Sequence, residues 1–193
     1  MLGTGTLEAR NSATLGPKIP GLITRVAVDQ GDRVKAGDTL VTLEGTDFRQ
    51  HVGVAAAEVA AAAAGLDRLR ADARRAEAVL MKARQDHQRI SDLVAKNSAA
   101  TDEFNKAVET LSIAEAERSR ADAAIIEVDK RLAAAARSLD YQRARLHDTT
   151  ITAPFDALVV RRDRDAGDVV TAGSSVLQLV SLEEMWVTAW VDE

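Results

Sequence analysis

The chain has 193 residues, with 25 Lys or Arg against 30 Asp or Glu, a formal charge of −5, and no Cys. That balance argues against a nucleic-acid partner, which calls for a concentrated basic surface. The lack of Cys excludes disulfide scaffolds, thiolate metal sites and cysteine catalysis. Hydrophobic residues make up 46% but aromatics only 3%, and much of the apolar share is Ala and Val, which suits long thin helices better than a thick core. The Ala-rich stretch Val52 to Leu66 holds Glu58 and is too short to span a bilayer. No charged segment followed by an apolar one opens the chain, so the expectation is that any secretion signal or anchor has been removed.

From residue 11 the sequence reads as short strands punctuated by Gly-Asp turns: a strand over Leu22–Val28, turns at Gly31-Asp32 and Gly37-Asp38, and a strand over Thr39–Leu43. Composition shifts near residue 48 and again near 147. Between them there is no Pro, and Gly occurs only at Gly53 and Gly65.

This middle segment carries heptads. Apolar residues recur at steps of three and four from Val52 to Val94, broken only by His87, and again from Phe104 to Leu146, broken by Arg118 and Gln142. Such spacing keeps one seam facing a partner helix and predicts a coiled coil. The two runs mirror each other about residue 99, so neighbouring residues are expected to have numbers whose sum is close to 198, such as Leu80 with Arg118, Ala73 with Ile125 and His87 with Leu111. A turn at Asn97-Ser98-Ala99-Ala100 would reverse the chain, with Asn97 left-handed after the first helix and Thr101 as N-cap of the second. Asp102 and Glu103 put negative charge at the positive helix end. The result is an antiparallel hairpin of about 65 Å at 1.5 Å per residue.

After the helices the first segment returns. A shift of 136 residues lays Asn11–Glu44 over His147–Val180 with ten identities, among them Leu22/Leu158, Gly31/Gly167, Asp32/Asp168, Val34/Val170, Gly37/Gly173 and Leu43/Leu179. The second copy predicts strands at Leu158–Val160 and Ser175–Leu179 with turns at Gly167-Asp168 and Gly173-Ser174. A unit of this size cannot bury its own apolar face, so the copies should pack together. Arg162 and Arg164, where the first copy has Val26 and Val28, imply that the second copy's strand turns or leaves the core early.

The run from Gly21 to Leu40 resembles the first half of a lipoyl or biotinyl carrier domain. Ala153-Pro154-Phe155-Asp156-Ala157, Val159-Val160-Arg161-Arg162 and Ala166-Gly167-Asp168-Val169-Val170 resemble the second half. Two such halves split by a long helical hairpin are similar to the periplasmic adaptors of tripartite efflux pumps, the haemolysin-D-like membrane fusion proteins. The resemblance implies an α+β fold: a coiled-coil hairpin at 48–146, tip at 97–101, inserted into a split lipoyl-like sandwich at 11–47 and 147–181. Residues 1–10 and 182–193 would form the edge of a truncated β-barrel, with Met185–Glu193 its first strand, so the chain reads as a fragment.

It further implies a non-enzymatic link between an inner-membrane transporter (RND, ABC or MFS) and an outer-membrane TolC-type channel. The setting would be the periplasm, with an inner-membrane anchor outside this chain and a homo-oligomer, a hexamer or a trimer of dimers. Adaptors that dock on such channels resemble one another at the tip, with an Arg, a Leu four residues on and a Ser seven beyond. Here Arg89 and Leu93 match, Ala100 stands in place of the Ser, and Ser98 or Thr101 offers a hydroxyl; with Asn97 these form the expected partner-binding tip. A carrier-like scaffold without cofactor, or a coiled-coil spacer of a multiprotein complex, is the alternative.

Other chemistry is not expected. Leu80-Met81-Lys82 echoes a biotin acceptor but falls mid-helix, and Glu44-Gly45-Thr46-Asp47 stands where the acceptor Lys would be. His87 reads as a seam residue. His51 and His147 make only two imidazoles where a metal needs three or four ligands. No catalytic trio, phosphate loop or cofactor site stands out, and Arg118 is expected to extend its guanidinium outward from beside Leu80.

Overall fold

The computed structural model describes residues 4–9, 11–181 and 185–190. It separates into two compact units, one made of Met1–Val52 with Tyr141–Glu193, the other of Gly53–Asp140.

The first unit holds the strands. In chain order these are β1 (Thr4–Ala9), β2 (Ser12–Leu15), β3 (Gly21–Val26), β4 (Arg33–Val34), β5 (Thr39–Leu43), then after the helices β6 (Thr150–Thr152), β7 (Ala157–Arg162), β8 (Val169–Val170), β9 (Leu177–Val180) and β10 (Met185–Trp190). Two four-stranded sheets run in the orders β2-β9-β7-β4 and β6-β5-β3-β8. Shifting every strand by one copy turns the first order into the second. Each sheet therefore takes two strands from each copy, and the unit has an internal pseudo-twofold.

The symmetry extends to single residues. Ile23 pairs with Leu43 as Val159 pairs with Leu179, and both ladders slip one residue further on, between Ile23 and Arg25 and between Val159 and Arg161. The Gly31 amide donates to the Val159 carbonyl and the Gly167 amide to that of Ile23, each at 2.8 Å. Gly31 and Gly167 sit at φ 95° and 98°, a region that side chains with a Cβ rarely adopt, which is why both turns need Gly. The buried core follows the same rule: Ile23/Val159, Val34/Val170, Leu40/Val176, Val41/Leu177 and Leu43/Leu179 are five pairs at the 136-residue shift. Neither copy has a partner sheet of its own, so the expected packing of the two copies holds.

Strand bounds differ in detail from the sequence reading. β7 runs to Arg162, matching β3 residue for residue in the sheet, but Arg162 and Arg164 are exposed where Val26 and Val28 pack on the core, so the end of the second copy's strand does leave the core as expected. Arg162 stays at the strand end because its guanidinium reaches Asp165 at 2.9 Å and Asp29 at 3.7 Å, one carboxylate from each copy's turn. β1 and β10 pair antiparallel as a separate two-stranded sheet, from Thr4 opposite Trp190 to Ala9 opposite Met185. The rest of the expected barrel edge, at 1–3, 10, 182–184 and 191–193, lies outside the described residues.

Two helices, α1 (Thr46–Ala95) and α2 (Thr101–His147), supply the second unit. All 26 seam positions expected from the heptads are buried or half-buried, while most others are exposed. The register differs. Leu80, Ala83 and Ala114 form one buried cluster with Leu111 packed on it, which centres facing numbers on 194 rather than 198. Other cross-helix contacts scatter about that value: Glu77 with Arg118 sums to 195, the His87 ring with Phe104 at 5.4 Å to 191, and Arg84 with Glu115 at 3.5 Å to 199. The shift of one turn sets large beside small. Leu80 and Leu111 pack in one cluster with the small Ala83 and Ala114, whereas the mirror about residue 99 would put a guanidinium against Leu80. Arg118 is instead held by Glu77 Oε2 at 2.6 Å and by Asp122 one turn on. Among the described residues no helix is long and apolar enough to cross a membrane.

Candidate functional site: the hairpin tip

α1 ends in a Schellman turn. The Ser98 amide donates to the Leu93 carbonyl at 2.8 Å and the Asn97 amide to that of Val94 at 2.9 Å. Asn97 takes φ 54°, as its sequence context implied, since Asn tolerates the left-handed region better than a branched residue. The Ser98 hydroxyl donates to the Lys96 carbonyl at 3.2 Å, so it is already used within the turn.

α2 starts one residue earlier than expected. The Ala100 carbonyl accepts from the Phe104 amide at 3.3 Å and the Glu103 amide at 3.1 Å. Ala100 thus holds the N-cap position and Thr101 is the first helical residue, which leaves the Thr101 side chain on the helix surface. Asp102 and Glu103 occupy the first turn, where the helix dipole favours them, and Lys106 Nζ reaches Asp102 at 3.1 Å.

Arg89 and Leu93 fall into one open groove of about 550 Å³ just behind the turn, lined also by Asp86, Ile90, Glu103, Lys106 and Thr110. Arg89 is exposed, with its guanidinium 2.7 Å from Asp86 Oδ1. Leu93 is 38% exposed. The structure therefore brings Arg89 and Leu93 together and puts Asn97, Ser98, Ala100 and Thr101 in the turn above them. Asp86, Glu103 and Lys106 were missed by sequence reasoning. Their signal was the heptad position flanking the seam, which puts Asp86 and Leu93 on one edge and Glu103 on the edge facing it.

The remaining candidates take structural roles. His87 packs its ring on Phe104, tilted by 40°. Lys82 lies mid-α1 and exposed. Glu44 starts α1: its Oε1 accepts the Thr46 amide at 2.8 Å and the Thr46 hydroxyl, and this hydroxyl contact chiefly holds its carboxyl below the usual range. Among the described residues no group of three or more His, Cys, Asp or Glu is placed to hold a metal.

Residues 11–181 match the family described as CzcB-like, barrel-sandwich hybrid domain. The chain belongs to that family. It is 26% identical over 175 residues to multidrug resistance protein MdtA of Klebsiella pneumoniae, an alignment covering 91% of this chain and 36% of the relative. The chain thus spans about a third of that relative's length. Among solved structures, MacA from Actinobacillus actinomycetemcomitans has a TM-score of 0.65 at 24% identity, over 97% of this chain and 54% of that one. The membrane fusion protein Spr0693 from Streptococcus pneumoniae R6 has a TM-score of 0.54 at 19% identity, over 96% and 65%. At these identities the two structures speak for the fold, a barrel-sandwich hybrid carrying a helical hairpin, as the sequence resemblance implied.

Proposed function

We propose that this chain is the hairpin-bearing part of a periplasmic adaptor that couples an inner-membrane transporter to an outer-membrane TolC-type channel in an efflux or secretion pump. It works in the periplasm, tethered to the inner membrane, in several copies, and makes no or breaks no covalent bond. Family membership across 11–181 and the multidrug-resistance name of its relative support the reading. Residues 1–10 and 182–193 belong in it to the edge of a β-barrel domain, 11–47 and 147–181 to the lipoyl-like domain, and 48–146 to the hairpin.

The observation that carries it is the tip. An exposed Arg and a half-exposed Leu share a groove directly behind a tightly hydrogen-bonded turn. A guanidinium there can donate to carbonyls or carboxylates of a channel's helix ends. Leu93 supplies the apolar contact that excludes water around it. Asn97, Ser98, Ala100 and Thr101 present the turn itself.

In the full-length protein, Arg89→Asp should abolish export while helicity and Tm stay near parental values, because an exposed Arg adds little to folding. Arg74→Asp, an exposed position on the same helix about four turns from Arg89, is the control. Normal export by Arg89→Asp, or equal failure of Arg74→Asp, overturns the assignment of the tip.

A further inference from the structure

Where the chain passes from strands to helices and back, the first unit carries a second depression, of about 420 Å³. Arg49 reaches it from the first turn of α1, and Arg143 and His147 from the end of α2. Thr42 and Thr150 add hydroxyls from the strands, and Leu43 and Leu146 supply apolar lining. Among the described residues no carboxylate lines this pocket, although the whole chain carries −5. The tip groove, by comparison, holds Asp86 and Glu103.

The fold places each donor. Thr42 stands opposite Thr150 in the β5–β6 ladder. Arg143 precedes His147 by four residues, so the two share one side of α2. Arg49 Nη2 donates to Thr46 Oγ1 at 2.9 Å, which holds the guanidinium back over Gly45. A Cβ on Gly45 would lie 3.4 Å from both Arg49 Nη1 and Thr149 Oγ1. Glu44 lies 3.9 Å from Arg49, but its Oε1 already accepts from the Thr46 amide and hydroxyl. The carbonyls that end α2, which would repel an anion, are engaged as well. That of Leu146 accepts from the Thr149 amide and hydroxyl, and that of Ala144 from the Asp148 amide. The pocket also breaks the internal repeat. Asn11, Ala13 and Gln178 are the counterparts of His147, Thr149 and Thr42 at the 136-residue shift, so the duplicated core does not itself require these donors.

We propose that this pocket binds a phosphate group, as the free ion or carried on a larger molecule. Donors converge on it from α1, α2 and the sheet. Three directions of approach suit a tetrahedral anion with oxygens on every side better than a planar carboxylate with two. Each guanidinium offers paired N–H donors in a fixed fork that matches phosphate oxygens. The His147 ring has an N–H to give in either protonation state, and the two Thr hydroxyls donate as well. Leu43 and Leu146 keep water from one side, which strengthens the charge-assisted bonds. The pocket is made of residues from the strand ends of α1 and α2, shares none with the tip, and does not rest on the adaptor reading.

The chain has three His, whose imidazole resonances report the test directly. The whole chain is titrated with inorganic phosphate, and with sodium chloride and sodium acetate at matched ionic strength, with His147→Gln assigning the reporter signal. Phosphate should move the His147 signal to saturation and leave that of His87 in place, while chloride and acetate leave both. Arg49→Gln and Arg143→Gln should each weaken phosphate binding about tenfold, since each removes hydrogen bonds between charged groups. Arg49→Lys, which keeps the charge but loses the fork, should fall between parent and Arg49→Gln. Arg33→Gln, at an exposed position on the other sheet, should bind as the parent does. Far-UV circular dichroism and Tm identify the variants that remain folded. Cosedimentation with phosphatidylcholine vesicles containing phosphatidic acid separates the sources. Capture that Arg49→Gln loses identifies a lipid headgroup, and saturation by phosphate without capture identifies a soluble phosphate. An unmoved His147 signal, an equal response to chloride or acetate, or undiminished binding by folded Arg49→Gln and Arg143→Gln overturns the proposal.

Discussion

Glycine-to-alanine substitution should act with opposite sign at two places in this chain. Gly65 lies inside α1, where a Gly is worse than Ala by about 0.5–1 kcal/mol because it gives up more backbone freedom on folding. A Cβ built there comes no nearer than 4.0 Å to Val128 Cγ1, ordinary contact, in a groove lined by Ala61, Ala62 and Ala135. Nothing in the chain therefore opposes the added methyl, and Gly65→Ala should stabilise by about 1 kcal/mol, raising Tm by about 2–4 °C for a chain of this size. Gly16 is the contrast. A Cβ there would fall 2.2 Å from the Ser174 carbonyl oxygen, a backbone atom that cannot turn aside. Gly16→Ala must separate β2 from the turn before β9 and should cost about 2 kcal/mol or more. Thermal melts followed at 222 nm compare both with the parent. A lower Tm for Gly65→Ala, or an unchanged one for Gly16→Ala, would refute the spatial argument.

Three further outcomes are expected. Leu80→Cys with Ala114→Cys should form a disulfide within one chain on mild oxidation and Leu80→Cys with Arg118→Cys should not, as read by non-reducing mass shift; the reverse would restore the mirror about residue 99. Leu43→Asp and Leu179→Asp, equivalent core positions that are 2% and 1% exposed, should each cost several kcal/mol by burying an unpaired charge, and a 1–46 peptide with protected amides would contradict a core shared by both copies. Asp163 is held below its ordinary value of 3.8, first by the Arg161 hydrogen bond and then by Ser175. Its stabilisation is therefore present above that ordinary value and fades as pH falls through the lower folded one, so Asp163→Asn should melt earlier than the parent at pH 7 and with it at low pH; a gap unchanged by acid would sink the assignment.

The hairpin and the duplication were legible because each is a periodic signal that local residues cannot avoid showing. Every seam position from Val52 to Leu146 comes out protected, since a 3.5-residue repeat admits one partner-facing stripe. The 136-residue shift carried over to core pairs, turns and even the slip in each ladder, because equal sequences meet equal steric limits at Gly31 and Gly167. What stayed hidden were choices among near-equal alternatives. Heptads name the residues of a seam but not which turn faces which; that depended on fitting Leu80 beside Ala114 and giving Arg118 to Glu77, a matter of volume and charge across two helices. Arg162 and Arg164 showed in the sequence that this strand turns its end away from the core, but not that Asp29 and Asp165, 133 and 3 residues away, converge on Arg162. The tip shows the same division: Asn97 was readable from its own left-handed tolerance, whereas the groove joining Arg89 to Glu103 exists only once α2 lies against α1. Local conformational preference is written residue by residue, but contact register is decided by the sum of many small packing terms that only the folded chain adds up.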